Sequence, residues 1–107
     1  MTKVKVFPGP CGFEAEITAE KDGKHQVRMT VESKCPAVKA LGEKLPLLTM
    51  RDIVGKGGFG AVRPFEVATG TLFHATCPVL CGYLKAAEAE MGLAVHRDVV
   101  LEIKKES

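Results

Sequence analysis

Apolar and polar positions alternate in the first third of this chain and recur at helical spacing in the last. From Phe13 to Glu20, the residues Phe13, Ala15, Ile17 and Ala19 share one face, and Glu14, Glu16, Thr18 and Glu20 share the other. That period of two predicts a strand with one buried side. His25–Ser33 repeats it, with Val27, Met29 and Val31 apolar. Asp22-Gly23 between the two runs marks a hairpin. A shorter alternating run, Lys3–Phe7, comes first and is broken by Pro8-Gly9-Pro10. Far down the chain, Leu80, Tyr83, Leu84, Ala87 and Met91 fall at helical spacing. They predict a core-facing helix from Pro78 to Met91, ended by Gly92.

The remaining elements are shorter. A helix runs from Pro36 to Lys44 and stops before Pro46. Residues 47–70 are the least regular. There Thr49 caps a short turn through Val54, Gly55–Gly60 is loop, and Pro64–Ala68 forms a short helix stopped by Gly70. Leu72–Thr76 reads as a short strand or extended segment. Val95–Lys104 reads as a final strand, with Val99, Leu101 and Ile103 on one face. The order predicts an α+β domain, with a mainly antiparallel sheet, an N-terminal hairpin and two main helices.

Register matters because it decides which residues meet. A two-residue loop at Asp22-Gly23 sets apolar residues against polar ones on both faces. A slip of one residue in either direction aligns the apolar faces. The three-residue loop Lys21-Asp22-Gly23 pairs Phe13 with Val31, Ala15 with Met29 and Ile17 with Val27, and sets Cys11 diagonal to Cys35. The other slip puts Cys11 directly opposite Cys35. Either way two distant thiols are predicted to share one face, about 5 to 8 Å apart.

Composition bounds the class. The chain has 107 residues, 46% hydrophobic and 26% charged, which predicts a single domain over residues 1–107 with a real core. Fifteen basic and 13 acidic residues leave a net charge of +2, too balanced for a nucleic-acid footprint. No apolar run is long enough to span a membrane. The opening MTKVKVFPGP lacks the apolar centre of a signal peptide, so a cytoplasmic location is expected. A homo-oligomer or a protein partner stays open.

Cysteine carries the clearest chemistry. Cys35-Pro36 and Cys77-Pro78 both precede predicted helices. Proline favours the first helical position, which leaves the cysteine near the positive end of the helix, where thiols tend toward thiolate. Cys77 and Cys81 lie four apart, one helical turn. If the Pro78 helix packs on the apolar face of the hairpin, Cys11, Cys35, Cys77 and Cys81 converge, and four thiolates suit zinc or an iron–sulfur cluster. His74, three residues before Cys77, is an alternative ligand. Two other readings compete: a redox pair of attacking and resolving thiols, and small buried thiols that merely fill a core, with function in a partner-binding surface.

Two motifs mislead. Gly55-Lys56-Gly57-Gly58-Phe59-Gly60-Ala61-Val62 matches the kinase glycine-rich loop, and His96-Arg97-Asp98 the start of its catalytic loop. A kinase needs two lobes, a phosphate-holding lysine, an asparagine where Ile103 stands, and an Asp-Phe-Gly. None is present, and no parallel βαβ unit surrounds the glycines, so no nucleotide is expected.

The pattern Cys11-Gly12-Phe13, Cys35, His74-x-x-Cys77-Pro78, Gly92-Leu93-Ala94 and Asp98-Val99 resembles that of a family of small uncharacterised bacterial and archaeal proteins, nearly end to end. The resemblance implies no activity, fold or cofactor. It leaves Cys81 outside the recurrent pattern and points to Cys11, Cys35 and Cys77, with His74, as the core of the site. The expectation is a cysteine-centred metal or cluster site on an α+β domain, with no enzyme assignment.

Overall fold

The computed structural model describes residues 1–54 and 62–106. The alternating runs form strands β1 (Thr2–Val6), β2 (Ala15–Lys21) and β3 (Gln26–Ser33). With the short β4 (Leu47–Thr49) they make one antiparallel sheet in chain order. The helical patterns form α1 (Pro36–Lys44) and α4 (Val79–Glu90), with α2 (Met50–Ile53) and α3 (Val62–Thr69) between them. This is an α+β fold with an antiparallel sheet.

One face of the sheet is covered and the other is open. Helix α4 lies on β1 and β2, and α1 on β3. Ile17, Val27 and Met29 point into this layer and meet Val38, Leu41 and Tyr83 in one buried cluster. Each such side chain stabilises the fold by roughly 1.5–3 kcal/mol. Tyr83 is fully buried, and its hydroxyl donates to the Leu45 carbonyl at 2.5 Å. Burial pushes the phenol pKa well above its ordinary value, and the nearby Arg63 only partly offsets this. Gly82 sets the helix close to the sheet: a Cβ there would stand 2.5 Å from Val6 Cγ2 and 3.3 Å from Ile17 Cδ1.

That contact also fixes the direction of α4. Its first turns lie over Val6 and Ile17, and its last residue, Glu90, reaches Thr2 and Lys21. The helix therefore runs antiparallel to β1. Gly92, at a φ of 77°, ends the turn that follows.

The hairpin keeps the expected facing but not the expected register. Ala15 pairs with Ser33, Ile17 with Val31 and Ala19 with Met29, a slide of four residues from the three-residue-loop pairing. The Asp22 N–H donates to the Gln26 carbonyl at 2.9 Å, so Gly23, Lys24 and His25 make the turn. Polar Lys24 and His25 are thus spared from strand positions, and the His25 carbonyl accepts the Met50 N–H at 3.1 Å instead. Apolar still faces apolar, because the slide is an even number of residues. Cys11 is no longer opposite or diagonal to Cys35; it lies before β2, in the connection from β1.

The last segment departs further. The expected strand from Val95 to Lys104 has no strand partner among the described residues. Val99, Leu101 and Ile103 are 62%, 79% and 92% exposed, so the alternation is present without a sheet to receive it. Leu72–Thr76 is likewise not a strand. Thr49 does cap α2, and α3 contains the expected Pro64–Ala68 helix. The glycine run Gly55–Gly60 lies outside the described residues.

Candidate functional site: the cysteine end of the sheet

Antiparallel pairing brings distant segments to a common end. Val6 pairs with Ala15, and Ala15 with Ser33, so the end of β1, the start of β2 and the end of β3 line up. The connection of residues 7–14, carrying Cys11, leaves from this end. Cys35 follows Ser33 by two residues. The start of α4 lies over Val6, which brings Cys77 and Cys81 to the same end. Val6 and Ser33 stand two strand spacings apart, about 10 Å.

The four thiols differ in setting. All are free; Cys11 and Cys81 are exposed, Cys35 and Cys77 half-buried and packed on the core cluster. Cys35 is the N-cap of α1, with Pro36 as the first helical residue. Its N–H accepts no helical role and donates to Ser33 Oγ at 3.2 Å, and its carbonyl receives the Lys39 N–H. The sulfur makes no capping hydrogen bond and stands at the positive end of the helix.

The second Cys-Pro junction is built differently. Here Pro78 itself is the N-cap and α4 starts at Val79. Cys77 is one residue outside the helix, and its N–H donates to the His74 carbonyl at 3.2 Å. The likeness of the two junctions in sequence is therefore broken: Cys35 caps a helix, Cys77 closes a turn. Cys81, on the first turn of α4, faces away from the buried stripe. The His74 ring is exposed.

The Cys11 connection is a turn of its own. Gly9 and Gly12 have φ of 76° and 71°, which side chains rarely adopt, and the Gly12 N–H donates to the Gly9 carbonyl at 3.0 Å. Phe7 and Phe13 flank it, both exposed. An open depression of about 530 Å³ lies beside it, lined among others by Gly12, Phe13, Ser33 and Lys34. Among the described residues no three of His, Cys, Asp and Glu stand together as a metal-ligand group. The segments that carry Cys11, Cys35, and Cys77 with Cys81 thus meet the sheet at one end, and no shell closes around the thiols among the described residues.

A family model matches residues 2–103: the family of unknown function DUF6951. The chain belongs to that family. No curated protein and no solved structure matches it. The DUF6951 match takes in all four cysteines, His74 and the exposed segment after α4. No helix among the described residues is long and apolar enough to cross a membrane.

Two polar clusters lie at the opposite end. Glu90 accepts from Thr2 Oγ1 at 2.8 Å and from the Lys21 N–H at 3.0 Å, and lies 3.3 Å from the Met1 amino group. His96 Nε2 stands 2.9 Å from the same Thr2 hydroxyl. Burial pushes the Glu90 carboxyl pKa up, but the Thr2, Lys21 and Met1 partners outweigh it and hold it below its usual value. Asp52 accepts from the Thr49 N–H at 2.8 Å and from Arg63 Nε and Nη2 at 3.0 and 2.7 Å. Burial again pushes its carboxyl up, and Arg63 and Thr49 bring it below the ordinary range. Arg63 Nη2 also reaches the Leu47 carbonyl at 2.8 Å. Thr49-x-x-Asp52 is legible as a capping signal; Arg63, eleven residues on, is not.

Proposed function

We propose that the cysteine end of the sheet holds a soft metal centre, zinc or an iron–sulfur cluster, on Cys11, Cys35 and Cys77, with His74 or Cys81 as the fourth donor. The observation that supports this reading is that the segments carrying Cys11, Cys35, and Cys77 with Cys81 all meet the sheet at one end. Thiolate is the ligand of choice for both metals, and free cysteines fit a reducing, cytoplasmic setting. The reading requires the Cys11 turn to swing toward Cys35 and Cys77. Gly9 and Gly12 give that turn its freedom, and the exposure of Cys11 leaves its sulfur unencumbered.

The test is protein purified without oxygen, assayed by elemental analysis and visible absorption. Zinc near one equivalent, or a sulfur-to-iron absorption band, is the expected result. Less than about one-tenth of an equivalent of any transition metal overturns the reading, because a folded soft-metal site binds far more tightly than purification can strip.

A thiol redox role is the second reading, favoured by one observation: Cys35 caps α1 with its sulfur unbonded. It predicts that Cys35 alkylates rapidly below pH 7, faster than exposed Cys81. Uniformly slow labelling would count against it.

A further inference from the structure

The segment after α4 has the sequence pattern of a strand but no sheet. Residues 97–106 make no hydrogen bond among the described residues, and none is buried. Yet Val99, Leu101 and Ile103 alternate with Asp98, Val100, Glu102 and Lys104, the pattern of a half-buried strand. Its root is held firmly. His96 stands on Thr2, at the start of β1, and Leu93 N–H donates to the Glu88 carbonyl. The DUF6951 match runs to residue 103 and so includes most of the arm.

Beside that root lies an open sheet edge. Among the described residues β1 pairs only with β2, and its other side has no strand neighbour. Its inward residues are Thr2, Val4 and Val6; its outward residues are Lys3 and Lys5, both exposed. Lysines on an edge strand ordinarily discourage pairing. They favour it when the incoming strand carries carboxylates at the matching positions, as cross-strand opposite charges do.

We propose that the arm of one chain adds as an antiparallel strand to the β1 edge of a second copy, reciprocally, to form a two-fold dimer. In one register the inward residues of the arm meet the inward residues of β1. Val99 lies opposite Val6, Leu101 opposite Val4 and Ile103 opposite Thr2, all on the covered face. On the open face Glu102 then stands opposite Lys3, which also lies 3.8 Å from Glu16 of its own sheet, Val100 opposite Lys5, and Asp98 diagonal to Lys5. The exchange closes without strain on topology. Each arm leaves beside its own Thr2, and residues 96–99 span about 10 Å, the two strand spacings needed to reach the partner's edge past the partner's own arm. The order becomes β1, the partner's arm, the arm, the partner's β1, all antiparallel like the rest of the sheet. The contact is the same on both chains, as a two-fold interface requires.

Light scattering on the full chain at tens of micromolar tests this. The expected mass is about 23 kDa, twice the 11.5 kDa of one chain. Leu101→Asp with Ile103→Asp should halve that mass and leave the circular dichroism unchanged, since both side chains are solvent-exposed within one chain. Glu102→Lys alone and Lys3→Glu alone should each weaken dimerisation at least tenfold, and the two together should restore it. A monomeric full chain overturns the proposal, including one in which the arm folds back on its own β1. So does a dimer that survives the Asp substitutions, or a charge swap that restores nothing. None of these outcomes depends on metal content, so this proposal and the metal-centre reading stand or fall separately.

Discussion

The two ends of the sheet are built on opposite plans. At the end where Lys21 turns toward Gln26, the carboxylates of Glu90 and Asp52 are enclosed and fully served by donors from distant parts of the chain. At the other end the reactive groups are sulfur, half of them exposed, and Cys35 caps a helix without a sulfur hydrogen bond. Enclosed, satisfied polar groups stabilise a fold and specify its geometry. Groups gathered but left unbonded do little for stability and are free to bind. Glu90 clamps α4 to β1 and β2 and roots the arm; the cysteine end is where added chemistry fits.

The sharpest way to break that contrast is to strip the enclosed end. Asp52→Ala removes four hydrogen bonds, leaves the Thr49 N–H without its acceptor and unpairs Arg63. A loss of about 2–4 kcal/mol in chemical denaturation is expected. Glu90→Ala leaves the Thr2 hydroxyl with His96 alone and the exposed Lys21 N–H to water, and should cost about 1 kcal/mol. If either variant loses less than a surface substitution does, the clamp is not what holds this end.

The same carboxylates set the acid limit. Both have folded pKa values below their ordinary 3.8 and 4.5, so the unfolded chain binds more protons than the folded one near those values. Their contribution is complete above about pH 5–6 and is lost as pH falls through the ordinary values toward the lowered ones. Melting temperature should therefore be flat near neutrality and drop toward pH 3. Glu90→Ala should show a shallower drop; an unchanged slope would remove Glu90 from the account.

Much of this was legible in the sequence, and the failures share a cause. Facing in the hairpin follows from the alternation of Ile17, Ala19, Val27 and Met29, because parity is a local property. α1 and α4 follow from their apolar spacing and from Pro36 and Gly92. Register was not legible, since two even slides satisfy the same alternation; the choice rests on whether Lys24 and His25 sit in the turn, which the distant Met50 N–H helps decide. The pattern of Val99, Leu101 and Ile103 announces a strand but not its neighbour. For the site, cysteine identity pointed to one end of the fold, but through the wrong geometry: Cys11 reaches that end by the β1–β2 connection, not across the hairpin. Glu90 with Thr2 and Asp52 with Arg63 left no trace, because each pair joins residues with no periodic relation.

A smaller effect tests how α4 positions the cysteine end. Gly82→Ala places a methyl 2.5 Å from Val6 Cγ2, so the helix start must lift or Val6 must turn. Overpacking of this kind costs about 1–3 kcal/mol, partly offset by the roughly 1 kcal/mol better helix propensity of alanine. A net loss of about 1 kcal/mol is expected, with faster alkylation of half-buried Cys77. Unchanged Cys77 reactivity would show that α4 does not shield it.

The smallest effects lie at the cysteine end itself, and they carry the most information. Without metal, Cys11→Ser and Cys81→Ser should each change stability by less than about 0.5 kcal/mol, since both side chains are exposed. Zinc bound to the folded protein raises its melting temperature by mass action. In that condition the two exposed cysteines should part company if His74 is the fourth donor: Cys11→Ser erases the zinc-induced rise and Cys81→Ser leaves it intact. If both erase it, the fourth donor is Cys81. If Cys11→Ser is as silent with zinc as without it, the turn between Gly9 and Gly12 does not close on a metal, and the contrast between the two ends reduces to one of stability alone.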